Sequence, residues 1–237
     1  RFIQKPILTM QLNLMRICFE MENKIIQGDC IEEMKKLENE SVDMIIADYP
    51  FNSQDGRKDY FDFVEQTAEL FYKILKDGGN LIVINNPINI FKTSHFFHKF
   101  NSRNSIALIR KGSLRPAWMF GFQHNYCLVL YKGDSKKKKW NGTKKNHDKT
   151  FLTDVIKYQN GYRGKGKDFH PQAIPLDLTK KFIEILSDKG DLILDTFLGS
   201  GTTIIACNEL NRNCIGIELK KEYIDMVQRR VERWEKK

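Results

Sequence analysis

The sequence predicts an α/β fold with a mostly parallel sheet flanked by helices, and two observations carry this prediction. Short apolar segments typical of strands alternate with longer segments of helical periodicity in both halves of the chain. Several strand segments are apolar without interruption, as strands covered on both faces usually are. Ligands of such sheets bind beyond the carboxyl ends of the strands, so functional residues are expected there.

The first half of the chain follows this alternation from residue 24 onward. A strand in "KIIQGD" is followed by the helical segment "CIEEMKKL", and "SVDMIIAD" is a continuous buried strand that ends at Asp48. The segment "FDFVEQTAELFYKILKDGG" predicts a helix that stops at its two glycines, and "NLIVIN" predicts the next strand.

The second half predicts two strands, "NSIALIR" and "NYCLVLYKG", and then a strand, helix, strand and helix in "DLILDTF", "GTTIIACNEL", "NCIGIEL" and "KKEYIDMVQRRVERW". Residues 1–22 contain three methionines and predict an N-terminal extension ahead of one domain over residues 23–237. Residues from about 132 to 169 break the alternation, which predicts a loop-rich insertion in that domain. No internal repeat is present.

Positive charge is concentrated in this insertion. Residues 132–167 hold twelve Lys or Arg and three Asp, a net charge of +9, and the whole chain of 237 residues also has a net charge of +9. No basic amphipathic helix accompanies the segment. The charge therefore predicts a polyanionic partner, nucleic acid before membrane.

The five cysteines are odd in number and show no C-x-x-C spacing, which disfavours both a disulfide framework and a zinc site. This pattern predicts a reducing compartment, the cytoplasm, and no bound metal. No apolar run approaches the length of about 18 residues that a membrane helix requires. We therefore expect no membrane association.

A glycine-rich turn joins a strand to a helix in "DLILDTFLGSGTTIIA". Gly199 and Gly201 permit close approach of a ligand to the backbone, and Thr202 and Thr203 are placed to cap the helix. The next strand ends in Glu218, where a carboxylate can accept hydrogen bonds from both hydroxyls of a ribose. The same features also fit a tight packing turn and a solvated carboxylate at a helix start.

The residues around the turn favour one nucleoside cofactor over another. A dinucleotide site requires G-x-G-x-x-G, and Ile204 occupies the third glycine position, which disfavours a nicotinamide cofactor. Asp195 before the turn would repel a pyrophosphate but would pair with the ammonium group of an amino-acid tail. These residues point to S-adenosylmethionine.

The stretch "DTFLGSGTT" closely resembles the D-P-F-x-G-S-G-T-T cofactor motif of amino-directed DNA methyltransferases, which methylate adenine N6 or cytosine N4. The resemblance implies a Rossmann-like class I methyltransferase fold and S-adenosylmethionine as the cofactor. The cofactor-binding residues that it implies are Asp195, Phe197, Gly199, Ser200, Gly201, Thr202 and Glu218, and Asp29 on the adenine side. Asp29 alone could equally be a helix cap.

The stretch "GDCIEEMKKLENESVDMIIADYPF" resembles the part of this family that ends in the catalytic tetrapeptide D/N/S-P-P-Y/F. The catalytic motif precedes the cofactor motif, as in the permuted class called β. The resemblance implies that Asp48 and the carbonyl of Tyr49 accept hydrogen bonds from the target amine, that Pro50 stiffens the turn, and that Phe51 stacks on the flipped base. The alternative is an Asp turn beside a half-buried aromatic ring.

The sequence departs from the family pattern at two places. The family has proline where this chain has Tyr49, which puts the rigidity of the turn in question. In "FHPQAIPLDL", His170, Pro171 and Pro175 match the family's H-P-T-Q-K-P and the intervening residues do not. We expect His170 to order a loop, since amine methylation requires no histidine base.

The basic insertion lies in the family's target-recognition segment. Lysines 136–139 (Lys136, Lys137, Lys138 and Lys139), with Lys144 and Lys145, are predicted to contact phosphates. The candidates to contact or replace the flipped base are Trp140, Tyr158, Tyr162 and Arg163. The alternative is a solvated loop without a ligand.

The predicted function is transfer of a methyl group from S-adenosylmethionine to adenine N6 in duplex DNA, by base flipping and direct in-line transfer. Asp at the head of the tetrapeptide usually accompanies adenine in this family. Possible partners are a cognate restriction endonuclease and a second copy of the chain. Alternatives are N4-cytosine methylation, an NAD-dependent oxidoreductase, a catalytically silent nucleic-acid-binding relative and an RNA substrate. C5-cytosine chemistry is disfavoured because none of the cysteines follows a proline.

Overall fold

The structure, a computed structural model, describes residues 23–50, 59–114, 122–134, 136–137, 139–142, 153–159, 170 and 173–236. Several predicted functional residues lie outside these ranges, namely Phe51, Lys138, Lys144, Lys145, Tyr162, Arg163 and Pro171. The predicted extension over residues 1–22 also lies outside them.

The described strands form a single sheet in the order β1-β8-β7-β2-β3-β5-β4-β6. Neighbouring strands run parallel except where β5 pairs with β3 and with β4. Their bounds are β1 (Asn23–Gln27), β2 (Val42–Asp48), β3 (Leu75–Asn85), β4 (Asn101–Leu114), β5 (Phe122–Tyr131), β6 (Val155–Tyr158), β7 (Leu192–Asp195) and β8 (Asn213–Glu218).

Helices cover both faces of this sheet. Their bounds are α1 (Cys30–Met34), α2 (Tyr60–Ile74), α3 (Ile90–His95), α4 (Leu176–Leu186), α5 (Thr202–Leu210) and α6 (Lys221–Glu235). The helix α2 begins where the side chain of Asp59 accepts hydrogen bonds from two backbone N–H groups of its first turn. None of the helices in the described ranges is long and apolar enough to cross a membrane.

Alternation along the strands divides the core into two layers. On one face Ile45 and Ala47 pack with residues of α1 and α2, and this layer extends to Tyr49. On the other face Met44 and Ile46 pack with residues of α4 and α5. Asp48 follows these two residues at the same spacing, so its side chain belongs to the face of α4 and α5.

The chain reverses its direction of winding between β2 and β7, which are hydrogen-bonded neighbours. From β2 the chain passes through α2 to β3 on one side, and from β7 it passes through α5 to β8 on the other side. A crevice therefore opens beyond the carboxyl ends of β2 and β7, where open α/β sheets bind their ligands.

The structure corrects three expectations from the sequence. The helix α2 ends at Ile74, and the two glycines belong to β3, because Lys132 pairs its backbone with both of them and extends the sheet there. The insertion contains β6, which pairs with β4 at the edge of the sheet. The sequence reasoning also missed α3 and α4, although α4 has a strongly periodic apolar face after Pro175.

Candidate active site

Three carboxylates lie at the crevice, one at the end of each of three neighbouring strands. Glu218 ends β8, Asp195 ends β7 and Asp48 ends β2. Neighbouring strands lie about 5 Å apart, so one ligand can reach all three groups. Asp195 pairs in register with Ile46 and Gly216, which places it two residues deeper than the other two carboxylates.

Asp195 is held rigidly at the bottom of the crevice. It is 5% exposed, its Oδ2 accepts a hydrogen bond of 2.5 Å from the Thr203 hydroxyl, and its Oδ1 accepts one of 3.0 Å from the Phe197 N–H. One donor lies in the first turn of α5 and the other in the turn that precedes it, and together they fix the carboxylate at the end of β7. Its position between β7 and the glycine turn is the one that the sequence predicted.

The site disfavours negative charge when no cation is present. Burial raises the pKa of Asp48 to about 7, and the charge of Asp195 adds to the effect. Burial likewise raises the pKa of Asp195 to about 6, with Glu218 adding to the effect and the donors on Asp195 opposing it. A positively charged ligand placed between these groups would stabilise their ionised forms.

The glycine turn has the backbone conformation that requires glycine. Gly199 and Gly201 have φ values of +51° and +76°, in the left-handed region. A Cβ on Gly199 would meet the His170 ring, and one on Gly201 would meet Val227. The prediction that Thr202 and Thr203 cap the helix is wrong. Gly201 occupies the N-cap position, and the two hydroxyls instead contact Ser200 and Asp195.

Glu218 ties the glycine turn to the end of β8. Its Oε2 accepts a hydrogen bond of 2.9 Å from the Gly199 N–H, and its Oε1 accepts one of 2.9 Å from the Lys220 N–H. Each carboxylate oxygen can accept more than one hydrogen bond. Glu218 can therefore hold the turn and accept ribose hydroxyls at the same time.

Asp29 has the capping role that its sequence position allowed. Its Oδ1 accepts hydrogen bonds from Ile31 N–H at 2.9 Å and from Glu32 N–H at 3.3 Å at the start of α1. The predicted contact between Asp29 and the adenine ring of a cofactor is compatible with this cap and stays a prediction.

The tetrapeptide residue that departs from the family is anchored in the core. Tyr49 is 3% exposed, its N–H donates to the Ile84 carbonyl at 3.1 Å, and its ring packs against Phe197 at 5.1 Å between centroids. Its hydroxyl lies 2.5 Å from the hydroxyl of Thr67, which itself donates to the Val64 carbonyl. Side-chain packing thus restrains the backbone where the family uses proline. Pro50 is half-buried beyond it.

A cavity lies beside Asp48, Asp195 and the glycine turn. It holds about 500 Å³ of empty space, including the part open to solvent. Asp48, Asp195 and the glycine turn form one side of it, and the remaining lining includes Ile84, Ala173, Ile174, Thr179 and Phe182. The sequence reasoning missed the contributions of α4. The helical spacing of Leu178, Phe182 and Ile185 in the sequence could have predicted this helix.

His170 lies beside the glycine turn, which is compatible with the loop-ordering role expected for it. Its ring packs on Tyr223 with centroids 4.7 Å apart and reaches Gly199. Burial lowers the pKa of His170 to about 4, and the nearby charges of Arg230 and Lys220 act in the same direction. The imidazole is therefore neutral at physiological pH and serves as a packing group.

The side chains that line the cavity fit S-adenosylmethionine. This molecule carries a sulfonium and an ammonium group, and the described lining offers carboxylates to both without an opposing lysine or arginine. Glu218 suits the ribose hydroxyls, and Phe197 and the apolar lining suit the rest of the nucleoside. Among the described ranges, no group of three or more His, Cys, Asp or Glu forms a metal site.

The first lysines of the basic insertion lie at the opposite edge of the sheet. Lys139 Nζ is 3.1 Å from the Asp43 carboxylate and 2.6 Å from that of Asp191, and both acids stand at the amino ends of their strands. Lys137 is paired with Asp77 at 2.7 Å. Asp48 is five residues further along β2 than Asp43, about 16 Å away.

These contacts indicate that Lys139 stabilises the fold. Burial lowers the pKa of Lys139, but its hydrogen bonds to Asp191 and Asp43 outweigh that effect and raise it overall. Burial likewise raises the pKa of Asp43, but hydrogen bonds from Lys76, the Leu192 N–H and Lys139 outweigh it and lower it overall. The geometry therefore favours a structural role for Lys139 over the predicted phosphate contact. Its ion pairs with Asp43 and Asp191 are called the clamp below.

The residues after Lys139 continue this clamp. Asn141 donates from its side chain to the Ser187 carbonyl at 2.8 Å and closes the carboxyl end of α4. The Trp140 ring lies 4.9 Å from the Arg103 guanidinium, also far from Asp48. Among the base-contact candidates within the described ranges, Tyr158 alone lies toward the carboxyl edge. Lys136 is exposed beside the clamp.

Comparison with known proteins shows that the chain is similar to DNA methyltransferases. A profile of a DNA methylase family, covering N6 and N4 enzymes, matches residues 42–229. The chain is 30% identical to the type II methyltransferase M.HinfI of Haemophilus influenzae, over 88% of this chain and 68% of that protein. It is 30% identical to the DNA adenine methyltransferase YhdJ of Escherichia coli K12, over 88% of this chain and 82% of that protein.

The chain spans only 54% of another similar protein, the type II methyltransferase M.BamHI of Bacillus amyloliquefaciens, at 29% identity over 83% of this chain. Among solved structures, it resembles the cytosine-N4-specific PvuII DNA methyltransferase with a TM-score of 0.76 and 20% identity, over 89% of this chain and 86% of that chain. It also resembles M1.HpyAVI bound to S-adenosylmethionine, with a TM-score of 0.66 and 24% identity, over 89% of this chain and 100% of that chain. The predicted fold class is thereby confirmed.

Asp48→Asn should stabilise the fold without ligand at pH 8 by more than about 1 kcal/mol, and this gain should vanish as the pH falls toward 4. The folded state raises the pKa of Asp48 to about 7 from an ordinary value of 3.8, so it binds the proton more tightly than the unfolded state. Stability due to this group is present at low pH and is lost as the pH rises through 7. Urea denaturation at several pH values measures the difference. Glu65→Gln, at an exposed carboxylate of α2, serves as the control.

Lys139→Ala should destabilise the protein by about 2 kcal/mol, because it leaves the largely buried Asp191 without its lysine donor and removes one of the two lysines that donate to Asp43. Lys136→Ala should change the free energy of unfolding by less than about 0.5 kcal/mol, since this side chain is exposed. Urea denaturation of the two variants gives the comparison. Equal stability of both would contradict the clamp.

Tyr49→Phe should cost about 1 kcal/mol, because it removes the hydroxyl that donates to Thr67. Tyr49→Pro, which introduces the family's residue, should cost about 3 kcal/mol or more, because it removes a buried ring and the N–H donated to Ile84. Thermal and urea denaturation report both values. A stable proline variant would mean that the anchor does not restrain this turn.

Proposed function

We propose that this chain, which belongs to the N6 and N4 family of DNA methylases, methylates adenine at N6 in duplex DNA by base flipping and direct in-line transfer. S-adenosylmethionine-dependent DNA methylation is the activity of the family, as the glycine turn and the tetrapeptide indicated. The choice of base and the role of each residue are the proposed part.

One observation carries the proposal. The carboxylate of Asp48, at the head of the tetrapeptide, lines the same cavity as Asp195 and the glycine turn. An acceptor for the target amine and a site for a cationic methyl donor thus share one space. Proximity of this kind converts a reaction between two bound molecules into an effectively unimolecular step.

Asp48 corrects the low reactivity of an exocyclic amine. The lone pair of such an amine is delocalised into the ring, and acceptors aimed at its two protons favour a tetrahedral nitrogen with a directed lone pair. The carboxylate of Asp48 is one acceptor, and the Tyr49 carbonyl is the second. S-adenosylmethionine, when bound, supplies the electrophilic methyl group.

The ionisation of Asp48 is linked to the occupancy of the cavity. Its carboxylate form is the stronger acceptor of a hydrogen bond, and its pKa of about 7 leaves Asp48 partly protonated near neutral pH. A cation bound beside Asp195 and Asp48 lowers both pKa values by direct attraction. Binding of the methyl donor thereby prepares the acceptor.

Two features support adenine over cytosine. Asp48 heads the tetrapeptide, as is usual for adenine enzymes of the family, and a relative at 30% identity is a DNA adenine methyltransferase. The PvuII enzyme is specific for cytosine N4, but at 20% identity it speaks to the fold alone. Cytosine N4 is therefore the second candidate.

Duplex DNA fits the charge of the insertion. Phosphate contacts are proposed for Lys136 and for Lys138, Lys144 and Lys145, while Lys137 and Lys139 serve mainly in ion pairs. Arg163 is proposed to contact the DNA at the flipped base. A restriction endonuclease partner is proposed from the type II relatives. A homodimer stays a prediction from the sequence.

The deciding experiment is transfer of labelled methyl from S-adenosylmethionine to unmethylated genomic DNA, followed by mass spectrometry of the nucleosides. N6-methyladenine is expected. N4-methylcytosine would keep the mechanism and overturn the choice of base. DNA binding without any methylated nucleoside would indicate a catalytically silent relative, and preference for single-stranded RNA in competition would overturn the DNA substrate.

Asp48→Ala should reduce methyl transfer by at least about a thousandfold, because it removes a preorganised acceptor of the target amine. Affinity for S-adenosylmethionine should stay within about fivefold, since the glycine turn, Asp195 and Glu218 remain. Single-turnover rates and calorimetry measure the two quantities, with Glu65→Gln as the control. Retained activity would remove Asp48 from the mechanism.

A further inference from the structure

We propose that Tyr158 forms the wall of the target-base pocket that faces Asp48, and that its ring contacts the flipped base. This inference rests on the proposed function and adds a residue to the same site. Its evidence is the geometry of the outer half of the sheet.

Strand register places Tyr158 above the carboxyl edge. Asp48 is level with Ile84 of β3, which pairs with Cys127 of β5, which in turn pairs with Ile106 of β4. Tyr158 pairs with Arg110, four residues further along β4. The side chain at the end of β6 therefore lies beyond the carboxyl edge of the sheet, and β3, β5 and β4 separate it from the strand of Asp48.

Asp48 and Tyr158 also share one face of the sheet. Leu108 and its partner Ile156 are buried on the face of α4 and α5, and Tyr158 follows Ile156 at the same alternation. Tyr158 packs at the margin of this apolar layer. Between Asp48 and Tyr158 the sheet presents an apolar floor that includes Ile84.

The electrostatics of Tyr158 support the proximity of the two groups. Burial raises the pKa of Tyr158, and the charge of Asp48 raises it further, whereas Arg110 lowers it. The neutral phenol ring presents a flat face, and aromatic faces are the surfaces on which extruded bases stack. An apolar floor, a carboxylate on one side and an aromatic ring on the other suit a flipped base.

The other aromatic candidate of the described insertion does not compete for this role. Trp140 lies at the amino edge of the sheet, where it packs on Arg103. The opposite face of β6 offers an internal control, since Val155 is 44% exposed there. Val155→Ala changes the same strand without touching the proposed pocket.

The test combines removal of the Tyr158 ring with removal of the target base and measures the affinity for DNA in each combination. The recognition sequence is first located by mapping methylated bases in DNA treated with the wild-type protein. Affinity is then measured for a duplex that carries the target base and for one with an abasic site at that position. Tyr158→Ala should bind the intact duplex about tenfold more weakly than wild type and the abasic duplex within about threefold.

Three controls sharpen the result. Tyr158→Phe, which retains the ring, should bind the intact duplex within about threefold of wild type, and Val155→Ala should match wild type on both duplexes. Affinity for S-adenosylmethionine should be unchanged in every variant. If the alanine variant does not fold, Tyr158→Leu keeps the apolar packing without the aromatic ring and takes its place.

Equal losses on the intact and abasic duplexes would overturn the base contact, because they would indicate a role in DNA backbone contact or in folding. No loss on either duplex, or a phenylalanine variant as weak as the alanine variant, would overturn it too. Absence of methylation by the wild-type protein would instead be a failure of the proposed function. Methylation of cytosine would leave the test intact with that base in the duplex.

Discussion

The parallel pairing of β2 with β7 is the constraint on which the site depends. Because these strands are neighbours and the chain leaves them in opposite directions, their carboxyl ends frame an open crevice. Side-chain alternation then directs Asp48, Asp195 and Glu218 to one face of the sheet. Without that pairing, three acids far apart in sequence would not meet.

Bringing these acids together has an energetic cost that explains the surrounding structure. Burial disfavours the charged form of each carboxylate and the neighbouring carboxylate adds repulsion, which together raise the pKa of Asp48 to about 7 and that of Asp195 to about 6. The Thr203 hydroxyl, the Phe197 N–H and the Gly199 N–H hold Asp195 and Glu218 in place despite it. Such strain is typical of binding sites whose ligand carries the opposite charge.

The two edges of the sheet carry different kinds of groups. The carboxyl edge carries the carboxylates, the glycine turn and Tyr158, whereas the amino edge carries the ion pairs of Lys139 with Asp43 and Asp191. The chain enters its basic insertion at the amino edge and returns through β6 to the carboxyl edge. The insertion is thus anchored at one edge of the sheet and reaches the other through β6.

The sequence by itself determined the alternation of strands and helices, the glycine turn and the identity of Asp48, Asp195 and Glu218, because these depend on local periodicity and short motifs. Tertiary structure alone decided that Lys139 forms ion pairs with Asp43 and Asp191, that Thr203 holds Asp195, that Tyr49 is a core anchor and that β6 pairs with β4 at the edge of the sheet. The reason is physical. Each of these roles depends on a partner that is distant in sequence or on the opposite side of a turn, and no local pattern encodes such pairing.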